Sequence, residues 1–172
     1  MNSIKFTHIT NWDFYIKTTF KVFLKGLLKP QFFIPFLIIL AIIIYVSINS
    51  LGYSFRFISP VSIFILYLVV MYPWNIYRNA KANFESSASL KEKLEYEFSE
   101  EYLIIKGESF ESKSQWKNYP KIFKIGNALL IYNTRLTAYF IDLNQMDSVE
   151  RIYLTDMLKH ITISNRIENN LK

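Results

Sequence analysis

FFIPFLIILAIIIYVSI at Phe32–Ile48 and ISPVSIFILYLVVMYPW at Ile58–Trp74, with Asn49-Ser50-Leu51-Gly52 as a polar turn after the first, form the stretch whose reading decides the fold. Lys29 and Arg56 enclose 26 residues without a formal charge, and Arg56 and Arg78 enclose 21. A hydrocarbon core about 30 Å thick takes about 20 apolar residues in a helix. The two blocks therefore predict a transmembrane hairpin, with spans at 32–48 and 58–74 inside a segment covering 32–77. A cleavable signal peptide would carry its apolar region close to the N-terminus and end at a small-residue site. Here a long basic stretch comes first. Neither block contains Asp, Glu, Lys, Arg or His, so the charged groups of a transporter or a proton relay are not expected. Pro35 and Pro73 lie near the span ends, where each removes an N–H and can bend a helix.

Working outward, residues 1–31 are read as an N-terminal segment leading into the membrane. Ile4, Phe6 and Ile9 alternate loosely, compatible with a short strand or with disorder. Thr10 to Asp13 has the spacing of a capping box. Lys17, Lys21, Lys25 and Lys29 recur every fourth residue, forming one basic stripe on an amphipathic helix. This stripe is either a plain positive flank of the first span or a surface lying among lipid headgroups, joined there by Trp74 and Arg78. Lysine and arginine concentrate outside the inter-block loop, which holds only Arg56. The expected placement is thus the cell membrane, multi-pass, with both termini cytoplasmic.

Composition narrows the classes. The 172-residue chain is 51% hydrophobic and 17% aromatic, which suits one small module attached to membrane helices. Cysteine is absent, so no disulfide, thiolate nucleophile or thiolate metal site is available. The net charge of +6 is not spread evenly: residues 1–94 hold 10 Lys+Arg against 3 Asp+Glu, and residues 95–172 hold 10 against 11. The basic excess sits beside the apolar blocks, so its expected partner is the lipid bilayer and its anionic headgroups, not nucleic acid.

Residues 78–93 turn polar and read as a linker, broken at Ser86-Ser87-Ala88-Ser89. From Leu94 the period becomes two: Leu94, Tyr96 and Phe98 share one strand face and Glu95 and Glu97 the other. Further strands are expected at 102–106, ended by Gly107, at 109–113, from Trp116, and at 122–125, 128–132 and 137–142. Gly126-Asn127 and Asn133-Thr134-Arg135 are hairpin signals. The period then becomes helical, with Ser148 as the expected N-cap and Val149, Ile152, Tyr153, Met157, Leu158 and Ile161 as an apolar stripe. Seven strands and a closing helix over 94–163, with 164–172 as a tail, predict an α+β membrane protein. Its transmembrane hairpin is followed by a pleckstrin-homology-like curled antiparallel sheet or barrel, capped by a C-terminal helix.

Tyr96-Glu97-Phe98-Ser99, Tyr102-Leu103-Ile104-Ile105, Trp116 with Tyr119 and Ile122 behind it, Leu129-Leu130-Ile131-Tyr132 and Ala138-Tyr139-Phe140-Ile141 occur in this order after two apolar blocks. In that order the chain resembles the YcxB-like family of bacterial membrane proteins. The resemblance covers most of the chain and implies a pleckstrin-homology-like cytoplasmic domain, no established enzyme activity and no catalytic residues to transfer.

The residues themselves suggest little catalysis. His8 and His160 are the only histidines and stand apart in sequence, and adjacent carboxylates at Glu100-Glu101 in a turn point away from each other. No glycine spacing cradles phosphate, and no cofactor or metal is expected. One polar-aromatic cluster remains: Lys113, Lys117, Lys121 and Lys124 with Trp116 and Tyr119. It reads either as a binding surface for anionic lipid or a phosphorylated headgroup, or as a core tryptophan flanked by solvated strand edges. An open sheet edge could also accept a peptide. Two functions follow: a membrane-anchored, non-enzymatic interaction module with a protein partner or a homo-oligomer, or a headgroup-binding domain.

Overall fold

The computed structural model describes residues 3–49, 66–134, 137–165 and 167–171, and within these the chain divides into two compact units. One unit takes residues 1–18 and 84–172, the other residues 19–83.

The first unit is built on two four-stranded sheets. In the first sheet, β1 (Ile4–Ile9), β2 (Lys93–Phe98), β3 (Tyr102–Lys106) and β4 (Glu111–Gln115) lie in sequence order, each antiparallel to the next. The N-terminal segment is thereby a strand of the C-terminal domain, with Ile4 opposite Phe98 and Ile9 opposite Lys93. The register places like with like. Ile4, Phe6, Leu94, Tyr96, Phe98, Leu103 and Ile105 are buried on the inner face. On the outer face Lys5 pairs with Glu97 (3.5 Å) and Lys106 with Glu111 (3.3 Å), each directly across from its partner. Gly107 ends β3 as expected, and the following turn is held by the Glu92 carboxylate. That carboxylate accepts from the backbone N–H of Glu108 (3.0 Å) and the Ser109 hydroxyl (2.9 Å). A Cβ at Gly107 would lie 2.7 Å from Glu92 Oε2 and 2.9 Å from the Phe110 ring, so any larger residue would have to displace these side chains.

The second sheet contains β5 (Lys121–Ile125), β6 (Ala128–Tyr132), β7 (Ala138–Asp142) and β8 (Glu168–Asn170), in the order β7-β6-β5-β8. β5 and β6 form a hairpin around Gly126-Asn127, with Gly126 at φ 56°, a conformation open to glycine at no steric penalty. β8 lies parallel to β5, so residues expected to be a tail carry a strand. Trp116 opens a 3-10 turn, Trp116–Asn118, and not a fourth strand. The helix Ser148–Ser164 follows β7, and its true N-cap is Asp147, whose carboxylate accepts from the Ser148 N–H (2.8 Å).

Leu154, Leu158 and Ile161 from that helix join the inner faces of both sheets in one core. The expectation of a curled barrel is corrected here. The strands make two separate sheets, and no sheet among the described residues closes on itself. The 3-10 turn at Trp116–Asn118 stands where a continuous ladder would have to pass from β4 to β5, and β4 and β5 are not paired.

Helix α1 (Trp12–Leu27) begins in the first unit, capped by Asn11, whose side chain accepts from the Phe14 N–H (2.7 Å). Thr10, the expected cap, instead donates its hydroxyl to the Phe140 carbonyl (3.2 Å). Trp12 and Tyr15 pack on Phe84, and Tyr15 also on Phe140 with ring centres 4.7 Å apart.

In the second unit, α2 (Pro30–Asn49) contains Pro35 and carries Ile34, Phe36, Ile38, Ile39 and Ile42 exposed. Farther on, a π-helical turn, Tyr67–Met71, runs into α3 (Tyr72–Ser86), and the short helix α4 (Ala88–Lys91) precedes β2 in the first unit. Among the described residues no helix is long and apolar enough to cross a membrane. This overturns the transmembrane hairpin, and with it the placement in the cell membrane with both termini cytoplasmic, since the charge asymmetry of the flanks orients a hairpin only where there are two spans. For the second block the reason is continuity, since a hydropathy run counts residues whereas a span requires them in one apolar helix. The described part of the second block is a single widened turn that continues into polar α3. Residues 58–65 of that block, the Ser50–Gly52 part of the turn and Arg56 lie outside the described residues.

Candidate functional site

The six residues expected to form a binding cluster do not share a surface. Trp116 is 1% exposed. Its indole Nε1–H donates to the Ser99 carbonyl (2.8 Å), and its ring stacks on Phe98 and packs against Tyr119. Ser99 is fixed in turn by its hydroxyl, which donates to the Tyr102 carbonyl (2.9 Å). Tyr119 is buried too, and burial pushes its phenol up to about 12. These aromatics are core.

The lysines are scattered around that core. Lys113 stands on the outer face of β4 with its ammonium 4.0 Å from the centre of the Tyr102 ring. Lys117 is exposed in the 3-10 turn. Lys121 reaches over Phe123, its same-face neighbour two residues on, at 5.0 Å. Lys124 falls on the opposite face of β5 by strand alternation. The N-terminal stripe fares similarly. Lys17, Lys21 and Lys25 are exposed on α1, whereas Lys29 lies in the bend after the helix has ended at Leu27. Trp74 and Arg78 are exposed on α3, with Trp74 stacked on Tyr77 at 5.9 Å.

His8 has a position that its sequence context does not reveal. It is 1% exposed, on β1, and its Nε2 accepts from the backbone N–H of Asp142 (3.0 Å). Nδ1 then carries the proton and faces the Thr10 hydroxyl (3.4 Å). Burial holds the imidazole neutral, lowering its pKa from 6.5 to about 4 against the opposing pull of Asp142. Beside it the Gln145 amide pairs with both backbone groups of Ile9, its Nε2 donating to the carbonyl (3.1 Å). The two contacts join the edge strand of the first sheet to the end of the second. They are structural ties, since His8 is closed off from solvent.

The surface feature that the sequence did not single out belongs to α5 (Ser148–Ser164). Its inner side supplies Leu154, Met157, Leu158 and Ile161 to the core. Its outer side leaves Val149 71%, Ile152 65%, Tyr153 46% and Ile163 73% exposed. Three members of the expected stripe thus face outward. A helix lying on a core buries one side, and apolar residues here extend around more of the circumference than that side covers. Next to this face is a cleft of about 470 Å³ lined by Glu100, Tyr153, Asp156, Met157, His160 and Ser164. Asp156 is already engaged by Lys159 at 3.1 Å. Among the described residues no group of three or more His, Asp or Glu is placed to hold a metal ion. The site offers apolar contact and mixed charge.

No family model, curated protein or solved structure matches the chain, so the functional argument rests on this geometry.

Proposed function

We propose that the protein is an interaction module that docks a protein partner on the outer face of α5 and the adjoining cleft. The observation that supports this reading is the exposure of four large apolar side chains, Val149, Ile152, Tyr153 and Ile163, along one helix whose other side is anchored in the core. Scattered exposed apolar residues are ordinary, but apolar residues at both ends of one face of a rigid helix, beside a concave surface, are the pattern of a contact site. Headgroup binding by the lysine cluster has less support, because Trp116 is enclosed and Lys121 and Lys124 occupy opposite faces of β5.

The test is retention from a cell extract on the full chain and on the Ile152→Glu/Ile163→Glu double variant, with unchanged helical content as the control. A protein held by the wild type and released by the double variant is the expected result. The same proteins held by both, or none by the wild type, would remove the proposal.

A further inference from the structure

The outer face of α5 has an internal order. Ile152, Asp156, Lys159 and Ile163 follow one another at steps of four, three and four residues, the spacing of a coiled-coil seam. All four point outward: the two isoleucines are 65% and 73% exposed, and the Lys159 and Asp156 side chains 50% and 61%. The row has apolar ends and one charge of each sign in the middle. Turned end for end and laid on itself, it matches: each isoleucine meets the other isoleucine, and each Asp156 meets a Lys159.

We propose that the occupant of this face is a second copy of the chain, α5 against α5, antiparallel about a two-fold axis. Ile152 of each copy packs on Ile163 of the other, and the Asp156–Lys159 ion pair within each copy (3.1 Å) meets that of the other, Asp156 of each facing Lys159 of the other in a network of four alternating charges. This deepens the docking reading and rests on it. A two-fold contact requires one surface to be complementary to itself, and the sign pattern meets that condition only in the antiparallel sense. A parallel pairing would set Asp156 on Asp156 and Lys159 on Lys159. Tyr153 and His160 flank the seam on the side of the cleft. The overlap from Ile152 to Ile163 is about 16 Å of helix, so the dimer belongs with weak, transient interfaces.

The chain has no cysteine, so single thiols report the pairing directly. Full-length Ile152→Cys and Ile163→Cys are mixed and mildly oxidised. The expected product is a disulfide-linked dimer from the mixture and little from either variant alone. In the antiparallel register, two thiols at the same position are about 16 Å apart along the helix, beyond the ~7 Å Cα separation a disulfide can span. With Asp156→Lys or Lys159→Asp added to both copies, the yield should fall about fivefold, the effect of a lost exposed ion pair made repulsive. The double exchange should restore it. Equal linking in every combination, no linking in the mixture, or no restoration by the double exchange would overturn the proposal. If linking fails while retention of an extract protein still depends on Ile152 and Ile163, self-pairing is wrong and docking of a different protein stands. If both fail, the face is not a contact site.

Discussion

The stretch from Lys113 to Lys124 and the helix α5 are both mixtures of charged and large apolar residues, yet the fold uses them in opposite ways. In the first, the aromatics go inward, with Trp116 enclosed and bonded to Ser99, and the lysines divide among a sheet face, a turn and both sides of a strand. In the second, Leu154, Met157, Leu158 and Ile161 attach the helix, and Ile152, Tyr153 and Ile163 remain outside. A tryptophan between lysines looks like a surface in sequence, and an isoleucine at helical spacing looks like core. The difference lies in supply: the strand-and-turn segment has a whole inner sheet face to fill, whereas the helix has a core on one side only.

The contrast can be broken most sharply at Trp116. Trp116→Ala removes a fully buried ring and should destabilise the protein by about 3–5 kcal/mol in denaturant titration, whereas Ile152→Ala on α5 should change it by less than about 0.5 kcal/mol. A loss of under about 1 kcal/mol at Trp116 would mean that the indole is not core.

A second measurement addresses the buried His8 as against exposed His160. Native His8 resists protonation until about pH 4, while the unfolded chain takes up its proton near 6.5. Its contribution is therefore fully present above about 6.5 and declines as the pH falls toward about 4, by about 3 kcal/mol in all. Stability measured across that window should slope upward with pH, and the part of the slope due to this residue should vanish in His8→Gln. An unchanged slope in His8→Gln would show that another group is responsible.

Gly107→Ala comes next in size. The added methyl meets Glu92 and Phe110 at under 3 Å, and the neighbours must shift at about 1–3 kcal/mol. Denaturant midpoints for this variant and for Gly26→Ala would separate close approach from helix propensity. Nothing lies within 4 Å of a Cβ at Gly26, which is in α1, so Ala there should be neutral or stabilise by up to about 1 kcal/mol. A small loss is expected at Lys113→Ala, which removes an exposed contact with Tyr102 worth about 0.5–1 kcal/mol.

Much of the β-structure was legible because alternation is a local signal. Leu94, Tyr96 and Phe98 opposite Glu95 and Glu97, the end of a strand at Gly107, and the Gly126-Asn127 hairpin all follow from a few neighbouring residues. The strand Ile4–Ile9 was not, because six weakly alternating residues form a strand only when β2 lies beside them, and β2 begins at Lys93. The exposed apolar face of α5 was hidden for a related reason. Periodicity shows which residues share a face, but not how much of the helix circumference the core can cover.

The amino-acid sequence by itself determined the period of each segment, the turn positions, the lack of thiol chemistry and the uneven charge. These depend on neighbouring residues and on composition. The tertiary structure alone decided that the N-terminus completes a sheet, that the strands form two sheets and not a barrel, that Trp116 is inside, and that Ile152 and Ile163 are outside. Each of those depends on which distant segment covers a given face, and burial is a property of that pairing.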